Sequence, residues 1–195
     1  MPQFARHLHK SKLILASRSP QRRAILEQLG IPFDARPQDV EELAAGRDPE
    51  SVVLENARRK ARSAAGDGDL VLGADTEVLI EGELLGKAGA EGEARAFLER
   101  LSGRTHTVLG GLVLIDRGAE RSGVAATQVT FRTLSPRLVD WFLDTGEWRE
   151  RAGAYAIQGR GAALVERIEG DYWNVVGLPV PLLLDLAPEL LGPSR

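Results

Sequence analysis

Leu13-Ile14-Leu15-Ala16-Ser17-Arg18-Ser19-Pro20-Gln21-Arg22-Arg23 is the stretch from which the rest of the chain can be read. Its first four residues form a short apolar run, which predicts a buried strand. Ala24-Ile25-Leu26-Glu27-Gln28-Leu29-Gly30 follows, with Ile25, Leu26 and Leu29 on one helical face. The order is therefore strand, polar turn, helix. Ser19 is a good N-cap, Pro20 suits the first helical position, and Gly30 stands where a helix would stop. The start of a helix presents free N–H groups and partial positive charge. Arg18, Arg22 and Arg23 add fixed cations at the same place. Such an end suits a phosphate. The same residues also suit a plain surface helix with a Ser-Pro cap and solvated arginines, and both readings stand at this point. The turn holds neither glycine nor Gly-Lys-Ser/Thr, so it is not a P-loop.

A chain of 195 residues is long enough for one substantial core or for two lobes sharing a sheet. Apolar content of 43% and charged content of 27% describe an ordinary soluble domain. A net charge of −3 gives no basic field to gather nucleic acid. A polyanionic substrate would need a local basic pocket instead. The absence of cysteine excludes disulfides and thiolate metal sites and fits a cytoplasmic protein. No apolar run approaches the roughly 20 residues of a membrane span. Residues 1–11 carry no apolar segment of the secretory kind and read as a flexible extension, leaving 12–195 as one domain.

Past Gly30, residues 31–35 predict a short strand that Pro32 confines to a sheet edge. Glu41 and Glu42 lie in an acidic segment, ordinarily a solvated loop, and residues 46–49 read as a turn. Residues 50–65 are helical in pattern. Val53, Leu54, Ala57, Ala61 and Ala64 share one stripe, while Arg58, Arg59, Lys60 and Arg62 fall largely off it. Which of these cations faces a cleft stays open. Leu70-Val71-Leu72-Gly73-Ala74 predicts a second buried strand, with Asp75 and Thr76 at its C-terminal end. That is a frequent catalytic or metal position in α/β folds, and equally a place for a turn-capping aspartate. Glu81-Gly82 is a hairpin turn, and Gly86-Lys87 closes the hairpin with a lysine that is either ordinary surface decoration or an amine within reach of a phosphate. Residues 91–101 predict an amphipathic helix. His106 reads as a hydrogen-bonded structural histidine, with a catalytic role as the alternative. Residues 107–116 and 124–133 predict paired strands, 135–143 a helix, 162–168 a strand, 170–173 a turn and 179–191 a closing helix. Gly159 and Gly161 allow a close backbone approach to a ligand.

Several segments carry a family resemblance. The opening Leu-Ile-Leu-Ala-Ser-x-Ser-Pro-x-Arg, then Gly73-Ala74-Asp75-Thr76, Leu85-Gly86-Lys87 and Leu101-Ser102-Gly103-Arg104-Thr105-His106 resemble, in order, motifs of the Maf family of nucleoside triphosphate pyrophosphatases. So do Ala152-Gly153-Ala154-Tyr155-Ala156-Ile157-Gln158-Gly159 and Val175-Val176-Gly177-Leu178-Pro179. Ala88 replaces the proline that follows Gly-Lys in the family. The resemblance implies an α/β fold with a mixed curved sheet flanked by helices, two lobes and a central cleft, similar to inosine triphosphate pyrophosphatases. It implies a hydrolase acting on acid anhydrides, converting a nucleoside triphosphate and water to the monophosphate and pyrophosphate with Mg²⁺ or Mn²⁺. It also implies a homodimer, while the net charge and the lack of an apolar span give no nucleic-acid or membrane partner. Carried over residue by residue, Asp75 is the general base and a metal contact, and Glu42 shares the metal. Arg22, Lys60 and Lys87 meet phosphates, with Ser17 offering a hydroxyl. Gln158 reads a base edge. Ile157-Gln158-Gly159 resembles the subgroup that hydrolyses dTTP and UTP. Gln21 departs from it, because that subgroup carries arginine there, whereas the 7-methyl-GTP subgroup carries an aromatic residue in the same motif. The alternatives are 7-methyl-GTP hydrolysis and a non-catalytic nucleotide-binding division regulator. Intact Asp75, Lys60 and Lys87 speak against the latter.

Overall fold

The computed structural model describes residues 13–37, 39–43, 48–66 and 68–192; the expected extension at 1–11 and part of the turn at 46–49 lie outside them. In chain order the elements are β1 (Leu13–Leu15), α1 (Pro20–Gln28), β2 (Phe33–Ala35), α2 (Pro49–Ala64), β3 (Leu70–Ile80), β4 (Glu83–Leu85) and α3 (Glu91–Leu101). Then come β5 (Thr105–Asp116), β6 (Ala119–Phe131), α4 (Pro136–Asp144), β7 (Val165–Glu169), α5 (Tyr172–Val176) and α6 (Val180–Leu186).

Seven strands make one mixed sheet in the order β2-β1-β3-β5-β6-β7, with β4 also on β3. β1 runs parallel to β2 and β3, and the remaining pairs are antiparallel. Alternation along the strands sorts the core. Leu13, Leu15, Leu70, Leu72, Leu112 and Leu114 pack with Ile25 and Leu26 of α1 and Leu183 of α6. Ile14, Val71 and Val113 point the other way, onto Ala57, Ala61 and Ala64 of α2. At the far end of the same long strands Val78, Ile80, Val108, Val129 and Phe131 build a second lobe with α3 and α4. The expected α/β architecture, helices on a mixed sheet with two lobes, is what the chain adopts.

Two glycines bring α2 unusually close to the sheet. A Cβ on Gly73 would stand 2.1 Å from the carbonyl oxygen of Ala57, and one on Gly111 would stand 2.7 Å from that of Val53. β3 itself is longer than its apolar run. It continues to Ile80, so Asp75 lies within the strand and not at its end. What interrupts the sheet there is the change of neighbour. Opposite β5, β1 pairs only with Leu70–Leu72 and β4 only with Val78–Ile80. Among the described residues no strand pairs with that edge of β3 between these points, and Gly73-Ala74-Asp75-Thr76-Glu77 borders the opening.

Three further expectations change. Ala162 and Ala163 belong to a 3₁₀ turn, Gly159–Ala163, and the strand begins only at Val165. Residues 170–173 lead into the short helix α5, capped by Asp171 Oδ1 on the N–H of Trp173 at 2.8 Å. The closing helix breaks at Ala187 because Pro188 lacks an N–H and drives its predecessor out of the helical region, to φ −144°. Gly159 and Gly161 serve the chain's own turn. Gly159 has φ +69°, and a Cβ on Gly161 would meet the Ala156 carbonyl at 1.9 Å.

Candidate active site

The opening beside β3 leads into a cleft of about 670 Å³ lined by both lobes. Ser17, Gln21, Arg22, Glu42, Lys60, Asp75, Lys87 and Gln158, all singled out from sequence, line it together.

Asp75 anchors the floor. Alternation directs it toward the face of the sheet that carries Val71 and Gly73, hence toward α2, and the close packing at Gly73 lets α2 side chains reach it. Its residue is 4% exposed. Lys60 Nζ lies 2.6 Å from Asp75 Oδ1 and 2.6 Å from Glu42 Oε1. Lys60 is thus the α2 cation that faces the cleft. Arg58 and Arg59 instead pair with Glu55. Burial works to raise the Glu42 carboxyl, but the hydrogen bond and charge of Lys60, with the charges of Lys87 and Arg22, hold it below its usual range.

The start of α1 forms the opposite wall. Ser19 caps the helix by accepting from the N–H of Arg22 at 3.4 Å. Arg22, 8% exposed, is tied down on all sides. Its Nε donates to Gly177 O at 2.8 Å, Nη1 to Ser17 Oγ at 3.0 Å and Nη2 to Thr76 Oγ1 at 3.0 Å. Burial lowers its pKa, while the charges of Asp75 and Glu42 oppose that fall; a guanidinium stays protonated regardless. Ser17 Oγ accepts from the N–H of Ser19 as well as from Arg22, so its own proton is free to be donated elsewhere. Gln21 Oε1 accepts from the Ser19 hydroxyl at 3.2 Å.

The second lobe contributes Lys87, Glu150 and Gln158. Lys87 bridges to Ala152 through the backbone, and its Nζ stands 3.5 Å from Glu150 Oε2 at the cleft mouth. Gln21 and Gln158 line both the cleft and a smaller side cavity formed with Glu147, Arg149 and Arg151. His106 lies behind this wall, buried, with Nε2 2.8 Å from the Tyr155 hydroxyl and edge-on to Phe131. Burial pulls it down to about 4, which keeps it neutral and fits the structural role.

Two members of the constellation belong to no motif. Asn56 is fully buried on α2, with Nδ2 3.2 Å from Asp75 Oδ2. Its signal in the sequence is a polar side chain flanked by Val52, Val53 and Ala57 on a helix, one turn before Lys60. Glu77 is two residues beyond Asp75, so alternation puts both on one face of β3. Its Oε2 is buried without a hydrogen-bond partner, and burial with the charges of Asp75 and Glu42 pushes its carboxyl up to about 8.

A comparison with protein-family models matches residues 12–190 to "Maf-like protein". A dTTP/UTP pyrophosphatase of Pyrococcus abyssi is 44% identical over 178 residues, 89% of this chain and 94% of that one. One of Thermococcus onnurineus is 47% identical over 89% of this chain and 95% of its own. One of Moorella thermoacetica is 50% identical over 87% and 90%. Among solved structures, the Staphylococcus aureus Ham1 protein aligns over 62% of this chain and 72% of its own, with 13% identity and a TM-score of 0.46. With the family model spanning nearly the whole sequence and relatives this similar over this much of their length, the chain belongs to the Maf-like protein family.

Proposed function

We propose that the protein hydrolyses dTTP and UTP between the α- and β-phosphates, releasing the monophosphate and pyrophosphate. The observation that carries this is the convergence, at the open edge of β3, of a buried carboxylate and a helix start armed with Arg22 and the free Ser17 hydroxyl. Relatives named for this activity support the substrate class. In this reading the chain acts on the nucleotide in a cytoplasmic, house-cleaning role, as a homodimer.

Asp75 accepts a proton from the attacking water as that oxygen bonds to the α-phosphorus and the bond to the β-phosphate breaks. Lys60 and Asn56 hold its two oxygens, one each, so the carboxylate cannot turn away. Arg22, Lys87 and the Ser17 hydroxyl bind phosphate oxygens, and Glu150 gives up its contact with Lys87 when they do. Gln158 offers donor and acceptor to the base. The donors here also fit Mg²⁺ or Mn²⁺. Glu42 and Asp75 already converge on one cation, the Lys60 ammonium, and the unpaired Glu77 Oε2 lies in the same charged cluster. Among the described residues no three acidic or histidine side chains form a complete cage. Glu42 and Asp75 would hold the ion with nucleotide oxygens completing its shell, a common arrangement for magnesium. When bound, it neutralises phosphate charge.

The test is product analysis across a nucleotide panel with Asp75→Asn alongside. Pyrophosphate release from dTTP and UTP is expected, falling on the order of 10²–10⁴-fold in the variant. Orthophosphate as product would overturn the reaction class, a retained rate would remove Asp75 from the chemistry, and dominance of 7-methyl-GTP would change the substrate.

A further inference from the structure

Asn56 is wholly shielded from solvent, and a buried amide is costly unless its donors and acceptor are used. Its Oδ1 accepts from the Leu43 N–H at 2.7 Å. Its Nδ2 donates to Asp75 Oδ2 at 3.2 Å and lies 3.4 Å from the Leu43 carbonyl. The amide can face only this way. Turned over, it would aim oxygen at a carboxylate and N–H at N–H.

Leu43 follows Glu42, and the neighbouring contacts come from the same side of α2. Arg59 Nη1 donates to the Glu41 carbonyl at 3.0 Å, and Lys60 holds Glu42. Of these three α2 residues, Asn56 and Lys60 also hold Asp75. The adjoining buried positions of the helix, Val52, Val53, Ala57 and Ala61, are apolar, so packing alone gives no reason for an amide here. We infer that Asn56 is a positioning residue for the reaction proposed above, fixing the rotation of the Asp75 carboxylate and holding the Glu42 segment against it. This rests on the reading of Asp75 as the base. Asn56 lies outside the lining of the cleft, so it acts through Asp75 and not on the nucleotide.

Asn56→Leu keeps the volume and removes both links. The expected result is a kcat for dTTP lowered by roughly 10–100-fold, the range seen when a partner that orients a working side chain is lost. KM should change little, because Asn56 does not line the cleft that takes the nucleotide. Asn56→Asp keeps the acceptor for Leu43 but sets a like charge against Asp75. It should lower kcat as well, with KM again little changed, a split that a purely structural role does not produce. Circular dichroism and affinity for a non-hydrolysable dTTP analogue check that each variant is folded and binds. Should Asn56→Leu fail to fold, Asn56→Asp carries the test through the same split of kcat from KM. Unchanged kcat in a folded variant overturns the inference. Asp75→Asn separates the two readings: if it stays active the base assignment fails, and if it is inactive while the Asn56 variants match the unmodified protein, only the role of Asn56 fails.

Discussion

Gln21 holds the second position of α1, between the cap Ser19 and the anchored Arg22, and lines both the cleft and its side cavity. Its Oε1 is engaged by the Ser19 hydroxyl, which leaves the amide N–H₂ as the group it can offer. Arginine, which the pyrimidine subgroup resembled by this chain carries there, would offer a charged fork instead. A hydrogen bond to a charged group contributes roughly 1.5–3 kcal/mol, against about 1 for a neutral one. Gln21→Arg is therefore expected to sharpen the preference for dTTP and UTP over CTP by about tenfold in kcat/KM, or about 1.4 kcal/mol. Measuring kcat/KM for the three nucleotides in both proteins checks this, and an unchanged ranking would mean that position 21 carries no specificity. The neighbouring Arg22 is a different kind of residue despite its adjacency. Three of its nitrogens are already committed within the fold, so its side chain presents a fixed charge and not a mobile one.

At the scale of elements, the placement of the site depends on how closely α2 lies on β3, and Gly73 sets that distance. A Cβ there would meet backbone and Cβ atoms of α2, Ala61 N at 2.7 Å and Ala61 Cβ at 2.8 Å, and these cannot swing aside as a flexible side chain would. Gly73→Ala should destabilise the protein by about 1–3 kcal/mol, as overpacking does. It should also lower kcat, because Asn56 and Lys60 are carried away from Asp75 with the helix. Gly92→Ala, in α3 with nothing near its added Cβ, is the control and should stabilise by up to about 1 kcal/mol through helix propensity. Denaturant midpoints and turnover of both variants decide the matter. The elements themselves were largely legible in the sequence, since apolar periodicity and caps marked β1, α1, α2, α3 and α4. Asp75 reads as a strand end because the apolar run stops at Ala74. The strand continues because β5 pairs with it as far as Leu79, a long-range contact that no local pattern encodes. Asn56 and Glu77 are hard to read locally for a similar reason. A lone polar residue on a helix or strand acquires meaning only when another element brings a partner to it.

At the scale of the whole molecule, the site is a seam between two lobes strung on shared strands, and the packing of each lobe bears on it. His106 sits in the core of the second lobe, between Phe131 and Tyr155, and Tyr155 also lines the cleft. Its Nδ1 is buried without a partner, so protonation would place a charged ring with an unanswered N–H in an apolar cluster. Burial accordingly pulls the imidazole down to about 4 from the 6.5 of a free histidine. The sign of the effect follows. Between these values the unfolded chain binds a proton that the folded protein refuses, so stability rises with pH across the interval. The contribution of His106 is complete above pH 6.5 and declines as the pH falls toward 4, where the folded protein also protonates. The span corresponds to about 3 kcal/mol. His106→Phe removes the titration and keeps the ring-on-ring packing, at the cost of leaving the Tyr155 hydroxyl without its partner. Unfolding free energies of both proteins, measured by denaturant from pH 7.5 to 4 in metal-free buffer, isolate the group by difference. The advantage of the unmodified protein over the variant should shrink steadily as the pH falls through this window, and a constant difference would mean that His106 protonates in the folded state as easily as in the unfolded chain.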